Sequence, residues 1–174
     1  MIASALILLT AVIGSTAAYI KSTAQPIENI FAPAKVSCEI NESFDGQTKE
    51  HIGVKNTGNV NAYIRATVTV GWQIDTGANV ILATSPEENV DYKVVAGSSK
   101  WNRGNDGYWY YADAITPESI TEDLFSSVTA LAEAPAGYKL SFNVICEAIQ
   151  SDPTTAVSDA WKITLIDGQI FPTP

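Results

Sequence analysis

The sequence predicts an all-β domain, a β-sandwich of jelly-roll or immunoglobulin-like kind, behind an N-terminal hydrophobic segment and an extended arm. Three observations predict it. Ile64, Ala66, Val68, Val70, Trp72 and Ile74 share one face of a run whose other face carries Tyr63, Arg65, Thr67, Thr69 and Gln73. Alternation of period two, rich in β-branched residues, marks a half-buried antiparallel strand. About eight such short signals follow one another, with turn residues every ~8–15 positions, the spacing of a sandwich. Only one short stretch, 153–161, reads as helix.

Composition narrows the function before any motif does. The 174 residues carry 10 Lys+Arg against 19 Asp+Glu, a net charge of −9. Binding nucleic acid requires clustered cations to replace counterions on phosphates, and docking on anionic lipid requires a basic patch; neither fits this balance. Charged residues are 17% and hydrophobic ones 46%, enough apolar surface for a sizeable core. A zinc site needing several His ligands, or a His-based triad, has at most His51 to work with.

Residues 1–17 read as a signal-peptide-like segment. The uncharged run 2–14 is shorter than the ~20 residues a membrane-spanning helix needs, and Gly14, Ser15, Thr16, Ala17 and Ala18 follow it as a cleavage region. A basic n-region is missing, so the start is truncated or an upstream Met initiates. A retained membrane anchor and a pilin-like helix in a filament core remain alternatives. Residues 18–35 hold Pro26 and Pro33 and no sustained period, which reads as an extended arm.

The sandwich is expected over 36–174 as one domain. Val36, Cys38 and Ile40 alternate with polar residues, as do Ile52 and Val54. Asn56-Thr57-Gly58-Asn59 is a turn of residues that tolerate positive φ. After the long strand, 75–79 turns the chain into Val80-Ile81-Leu82, and Tyr92 to Val95 forms another strand. Trp101 to Tyr111 reads as a hairpin around Asn105-Asp106-Gly107. Pro117 to Glu122 turns into Leu124–Leu131, and 134–137 break that strand. Leu140 to Ala148 alternates again, with Phe142 and Val144 inward. Asp152 is the expected N-cap and Pro153 the first helical residue of 153–161. A last strand or hairpin surrounds Asp167-Gly168.

Candidate chemistry is sparse. His51 lacks a His at i+4 and reads as a surface residue. No serine sits in a nucleophile elbow, and Gly104-Asn105-Asp106-Gly107 is a turn rather than a phosphate loop. Glu87, Glu88 and Asp91 have the chemistry to hold a hard cation, but carboxylates in a loop are usually solvated. Cys38 and Cys146 fall on apolar strand faces. They are either a disulfide, worth roughly 4–5 kcal/mol for so long a loop, or two buried free thiols. Trp101, Tyr108, Trp109, Tyr110 and Tyr111 form the densest aromatic cluster, a candidate contact face for a sugar or partner. Alternation would bury every second ring in any case. No catalytic residue, metal ligand or cofactor is expected.

The stretch Gly14-Ser15-Thr16-Ala17-Ala18-Tyr19 resembles the signal end cut by SipW-type signal peptidases of Gram-positive bacteria. Residues 56–66, NTGNVNAYIRA, followed by Trp72, resemble a strand of TasA/camelysin-like surface proteins; 106–111 and 147–150 are similar to other SipW-associated chains. The resemblance implies a secreted jelly-roll-like sandwich that builds biofilm-matrix fibres, with cleavage after Ala17 leaving Ala18 first. Camelysin is classed as a metallopeptidase; this chain carries no zinc motif.

The expected function is therefore a non-enzymatic extracellular fibre subunit that polymerises with itself by strand donation. Its arm, with Ala18, Ile20, Ile27, Ile30 and Phe31, is the donor. Further expected partners are the signal peptidase during export and an accessory or anchoring surface protein, with no nucleic acid. The alternatives are a membrane-anchored surface binding module, using the aromatic hairpin, and a pilin-like subunit.

Overall fold

A computed structural model describes residues 34–74 and 84–172. The segment 1–17, the arm residues Ala18, Ile20, Ile27, Ile30 and Phe31, and the turn and short strand expected over 75–82 lie outside the described residues. The compact unit begins at Ala34. In chain order its strands are β1 (Cys38–Phe44), β2 (Thr48–Asn56), β3 (Ala62–Ile74), β4 (Tyr92–Ala96), β5 (Trp101–Arg103), β6 (Trp109–Tyr111), β7 (Phe125–Ala130) and β8 (Tyr138–Gln150). Helix α1 (Thr155–Trp161) and the hairpin β9 (Leu165–Ile166) and β10 (Gln169–Ile170) follow.

Two four-stranded antiparallel sheets, ordered β1-β2-β7-β4 and β5-β6-β3-β8, pack as a sandwich-like pair. β3 and β8 pair without interruption from Ala62↔Gln150 to Ile74↔Tyr138. That register stacks Ile64 beside Ala148, Val70 beside Phe142 and Trp72 beside Leu140 on the inner face. A one-residue slip would turn all of them to the other face, so two long alternating strands fix each other's register. Ile64, Ala66 and Phe142 are buried with Ile52, Val54 and Val128 from the facing sheet and with Leu124 just before β7, and Trp72 is buried as well.

Several expectations change. Val68, Val70 and Val144 point inward as expected but are only half-buried, because the sheets part beside them. The outer face of the second sheet is not simply solvated. Tyr63, Tyr110, Val157 and Ile170 form a second buried cluster where α1 and the β9–β10 hairpin fold over it. Period-two alternation places Tyr63 opposite the core and carries no sign of what later covers it. The hairpin turns at Asp167 and Gly168, with φ of 50° and 78°, and Ile170 donates its N–H to Ala112 O.

Helix α1 starts later than expected. Thr154, not Asp152, is its N-cap, and Thr154 makes no side-chain capping bond. Pro153 lies in a preceding turn closed by the Ala156 N–H on Pro153 O. The buried Val157 and the packed Trp161 hold the helix instead of a cap.

Gly58 is required for a reason other than the one the turn motif suggests. Its φ is not in the left-handed region. A Cβ there would lie 2.4 Å from Lys35 O and 3.2 Å from Ser37 N. Both are backbone atoms and cannot rotate aside. Gly58→Ala is expected to cost about 1–3 kcal/mol, read as a lowered urea midpoint, whereas Gly107→Asn, at a turn with φ +85° and open space around it, should cost much less.

Candidate functional site

The 56–66 stretch begins with a turn that ties Lys35 and Ser37, at the start of the folded unit, to the sandwich. Asn56 is fully buried. Its Nδ2 donates to Val60 O at 2.9 Å and Ile115 O at 3.0 Å, and its Oδ1 accepts from Gly58 N–H at 2.9 Å. Its backbone bonds Ser119 O and the Glu118 N–H. Asn59 Oδ1 accepts from Lys35 N–H at 2.6 Å, and Thr57 Oγ1 donates to Ser37 Oγ at 2.9 Å. Lys35, assigned by sequence to the arm, is thus tied into the folded unit. The motif's side chains are spent on internal bonds, so its work is to fix where the chain enters the sandwich.

Arg65, on the next turn of the strand pattern, is caged. Its Nε and Nη2 donate to Glu147 Oε2 at 2.8 and 2.6 Å. The guanidinium lies 4.0 Å from the Tyr108 ring centre and 4.8 Å from that of Trp161. Trp161 comes from α1, so this cation pins the helix to the sheet. Arg65→Ala is expected to lower stability by about 1–2 kcal/mol in urea unfolding. Arg65→Lys should restore little of it, since an ammonium neither stacks nor bonds through a planar fork.

The aromatic hairpin follows its predicted alternation. Trp101 and Tyr111 are cross-strand partners with ring centres 5.2 Å apart, facing the inner core. Trp109 meets Phe125 on the same side. Tyr108 and Tyr110 face the outer cluster. Tyr110 is fully buried, and burial together with Asp106 pushes its hydroxyl up to about 12. Trp101, Tyr110 and Tyr111 are buried in this unit, so of the five rings expected on a contact face only Tyr108 and Trp109 keep partial exposure.

His51 sits at a β-bulge, where it and Ile52 oppose Glu42 between the pairs Asn41↔Gly53 and Ser43↔Glu50. Its φ is 53° and its side chain is exposed, 3.0 Å from Asp123 Oδ2. Asp91 Oδ2 accepts the Glu87 N–H at 2.8 Å, which uses that carboxylate in its own loop. Among the described residues no three His, Cys, Asp or Glu side chains gather as a metal-ligating group. Purified protein is expected to show no chelator-sensitive cleavage of casein; cleavage lost both with chelator and on His51→Ala would contradict this.

Among the described residues the sandwich is open on two sides. Beyond Ala66, β6 no longer accompanies β3, and a cavity of about 370 Å³ lies there under Val68, Val70, Tyr92, Val94 and Phe142. On the other side, between β1 and β8, a cavity of about 380 Å³ is lined by Phe44, Val128, Ala130, Tyr138, Leu140 and Phe142. Phe44 is 62% exposed and Leu131, at the end of β7, 51%. β1 and β8 are edge strands. The sequence pattern contained the apolar residues of this cleft but not the pairing that leaves it open.

No helix among the described residues is long and apolar enough to cross a membrane. Comparison with protein-family models, with curated proteins and with solved structures found no significant match.

Proposed function

We propose that this chain is a secreted structural subunit of an extracellular fibre or biofilm matrix, a jelly-roll-like sandwich that assembles by donating its N-terminal arm to the next copy. The observation that carries the reading is the placement of two features at opposite ends of β8. Ala34, where the arm joins, lies with Val60, Asn61, Gln150 and Ser151 at the C-terminal end of β8. The apolar cleft under Phe44 begins at Tyr138, the N-terminal end of that strand. A 13-residue strand separates them, about 40 Å at ~3.3 Å per residue. An arm leaving one end and a cleft open at the other suit a head-to-tail contact, which propagates into a filament when the rotation does not close. Residues 18–33 reach about 55 Å when extended, long enough to span a neighbour's cleft. The net charge of −9 keeps free subunits apart until arms engage.

The same reading places the chain outside the cell, cut after Ala17 as the resemblance to TasA/camelysin-like proteins implies. Mass spectrometry of the secreted protein should find Ala18 at its N-terminus, and negative-stain microscopy should show filaments of the purified protein. An intact residue 2 on cell-bound protein, without filaments, would favour a membrane-anchored module instead. The burial of three of the five hairpin rings weighs against that alternative, since it removes most of the contact face it requires.

A further inference from the structure

Cys38 and Cys146 are more than a hundred residues apart in sequence and close together in the fold. Cys38 opens β1, an edge of one sheet, and Cys146 lies in β8, an edge of the other. The two edges lie against each other on the same side of the sandwich. Both side chains are half-buried, pack on the same core and carry free thiols that face each other closely enough to interact. The backbone register holds them there: Cys38 is paired to Asn56 and Cys146 to Ala66, so neither strand can slide without breaking its ladder.

We propose that Cys38 and Cys146 form a disulfide that staples the two sheets together along their β1–β8 side when the folded chain meets a disulfide-bearing oxidant. The reaction is thiol–disulfide exchange. One of the two cysteine sulfurs, as thiolate, attacks one sulfur of the oxidant's disulfide; that bond breaks and the other half leaves as a thiol with the proton that cysteine gave up. The second cysteine then loses its proton, attacks the protein sulfur of the mixed disulfide, and expels the second half as a thiol. The protein gives up two electrons and two protons, and the oxidant takes up both. The two thiols titrate as one interacting pair, so the exchange begins at whichever sulfur is first deprotonated and reached by the oxidant.

The position gives the staple a purpose. β1 is the first strand after Ala34, so a pull from before Ala34 that breaks the Lys35–Asn59 and Ser37–Thr57 ties loads β1 next. Among the described residues β1 is bonded along one side only, to β2. A bond to β8 would pass that load into the long β3–β8 pair of the other sheet.

The test is to incubate the folded, reduced full chain with oxidised glutathione. Free thiols should fall from two to none. The intact mass should drop by two hydrogens with no glutathione retained, a linked Cys38–Cys146 peptide should appear on digestion, and the urea midpoint should rise. Cys38→Ser and Cys146→Ser should each trap one glutathione on the cysteine that remains. Two retained glutathiones, a disulfide-linked dimer, a linked monomer less stable than the reduced one, or two unreacted thiols where the unfolded chain is oxidised would each overturn the proposal. None of these outcomes depends on whether the chain forms fibres.

Discussion

Asn56→Ala is expected to be among the most damaging single substitutions in the sandwich, costing roughly 2–4 kcal/mol. The residue is fully buried, and its amide is the partner of Gly58 N–H and of Val60 O. Ile115 O keeps its bond from the Ala62 N–H when Nδ2 is lost. Two backbone groups are therefore left without a side-chain partner, and each buried unsatisfied group costs about 1–3 kcal/mol. Asn56→Asp keeps the acceptor for Gly58 but puts a carboxylate against two carbonyl oxygens, so it should be at least as harmful. Urea unfolding followed by fluorescence reads both variants. A loss below about 0.5 kcal/mol for Asn56→Ala would mean that water replaces the amide and that the joint is not buried as described.

The long strands were legible in the sequence because their alternation is local. Ile64 to Ile74 and Leu140 to Ala148 each carry the pattern alone, and the structure pairs them residue by residue. The hairpin at Asn105-Asp106-Gly107 and the one at Asp167-Gly168 were legible because positive φ at the turn selects the residue. What stayed hidden depends on parts of the chain far apart. Asn56 reads as a turn residue, and nothing beside it announces the carbonyl of Ile115. Arg65 reads as a solvent-facing cation, since Trp161, which covers it, lies almost a hundred residues on. The meeting of Cys38 and Cys146 needs both sheet orders, and no local pattern encodes them. The candidate assembly cleft is hidden for the same reason, since Phe44, Val128 and Tyr138 belong to three strands that only the topology gathers.

Removing residues 18–31 is expected to abolish fibres and leave the sandwich folded. Among the described residues the core clusters draw on positions from 38 onward, so the truncated chain retains all of those core residues. The donor reading makes the arm a ligand of the neighbour: its backbone completes an open edge, and Ile20, Ile27, Ile30 and Phe31 supply apolar side chains to the cleft. Ile27→Asp or Ile30→Asp should then weaken assembly strongly, because a charge would enter an apolar groove unpaired. On the receiving side Phe44→Asp should do the same at little cost to folding, since that ring is 62% exposed in the lone subunit yet lines the cleft. Free arm peptide added to truncated subunits should raise their melting temperature as any native-state ligand does, by about 3 kcal/mol of stability at ~100 times its Kd. Negative-stain microscopy and melting curves read all of these variants. Normal fibres from the truncated chain would exclude donation by this arm. Loss of the fold on truncation would mean that the arm completes its own subunit's sheet, and normal fibres from Phe44→Asp would move the acceptor away from the β1–β8 cleft.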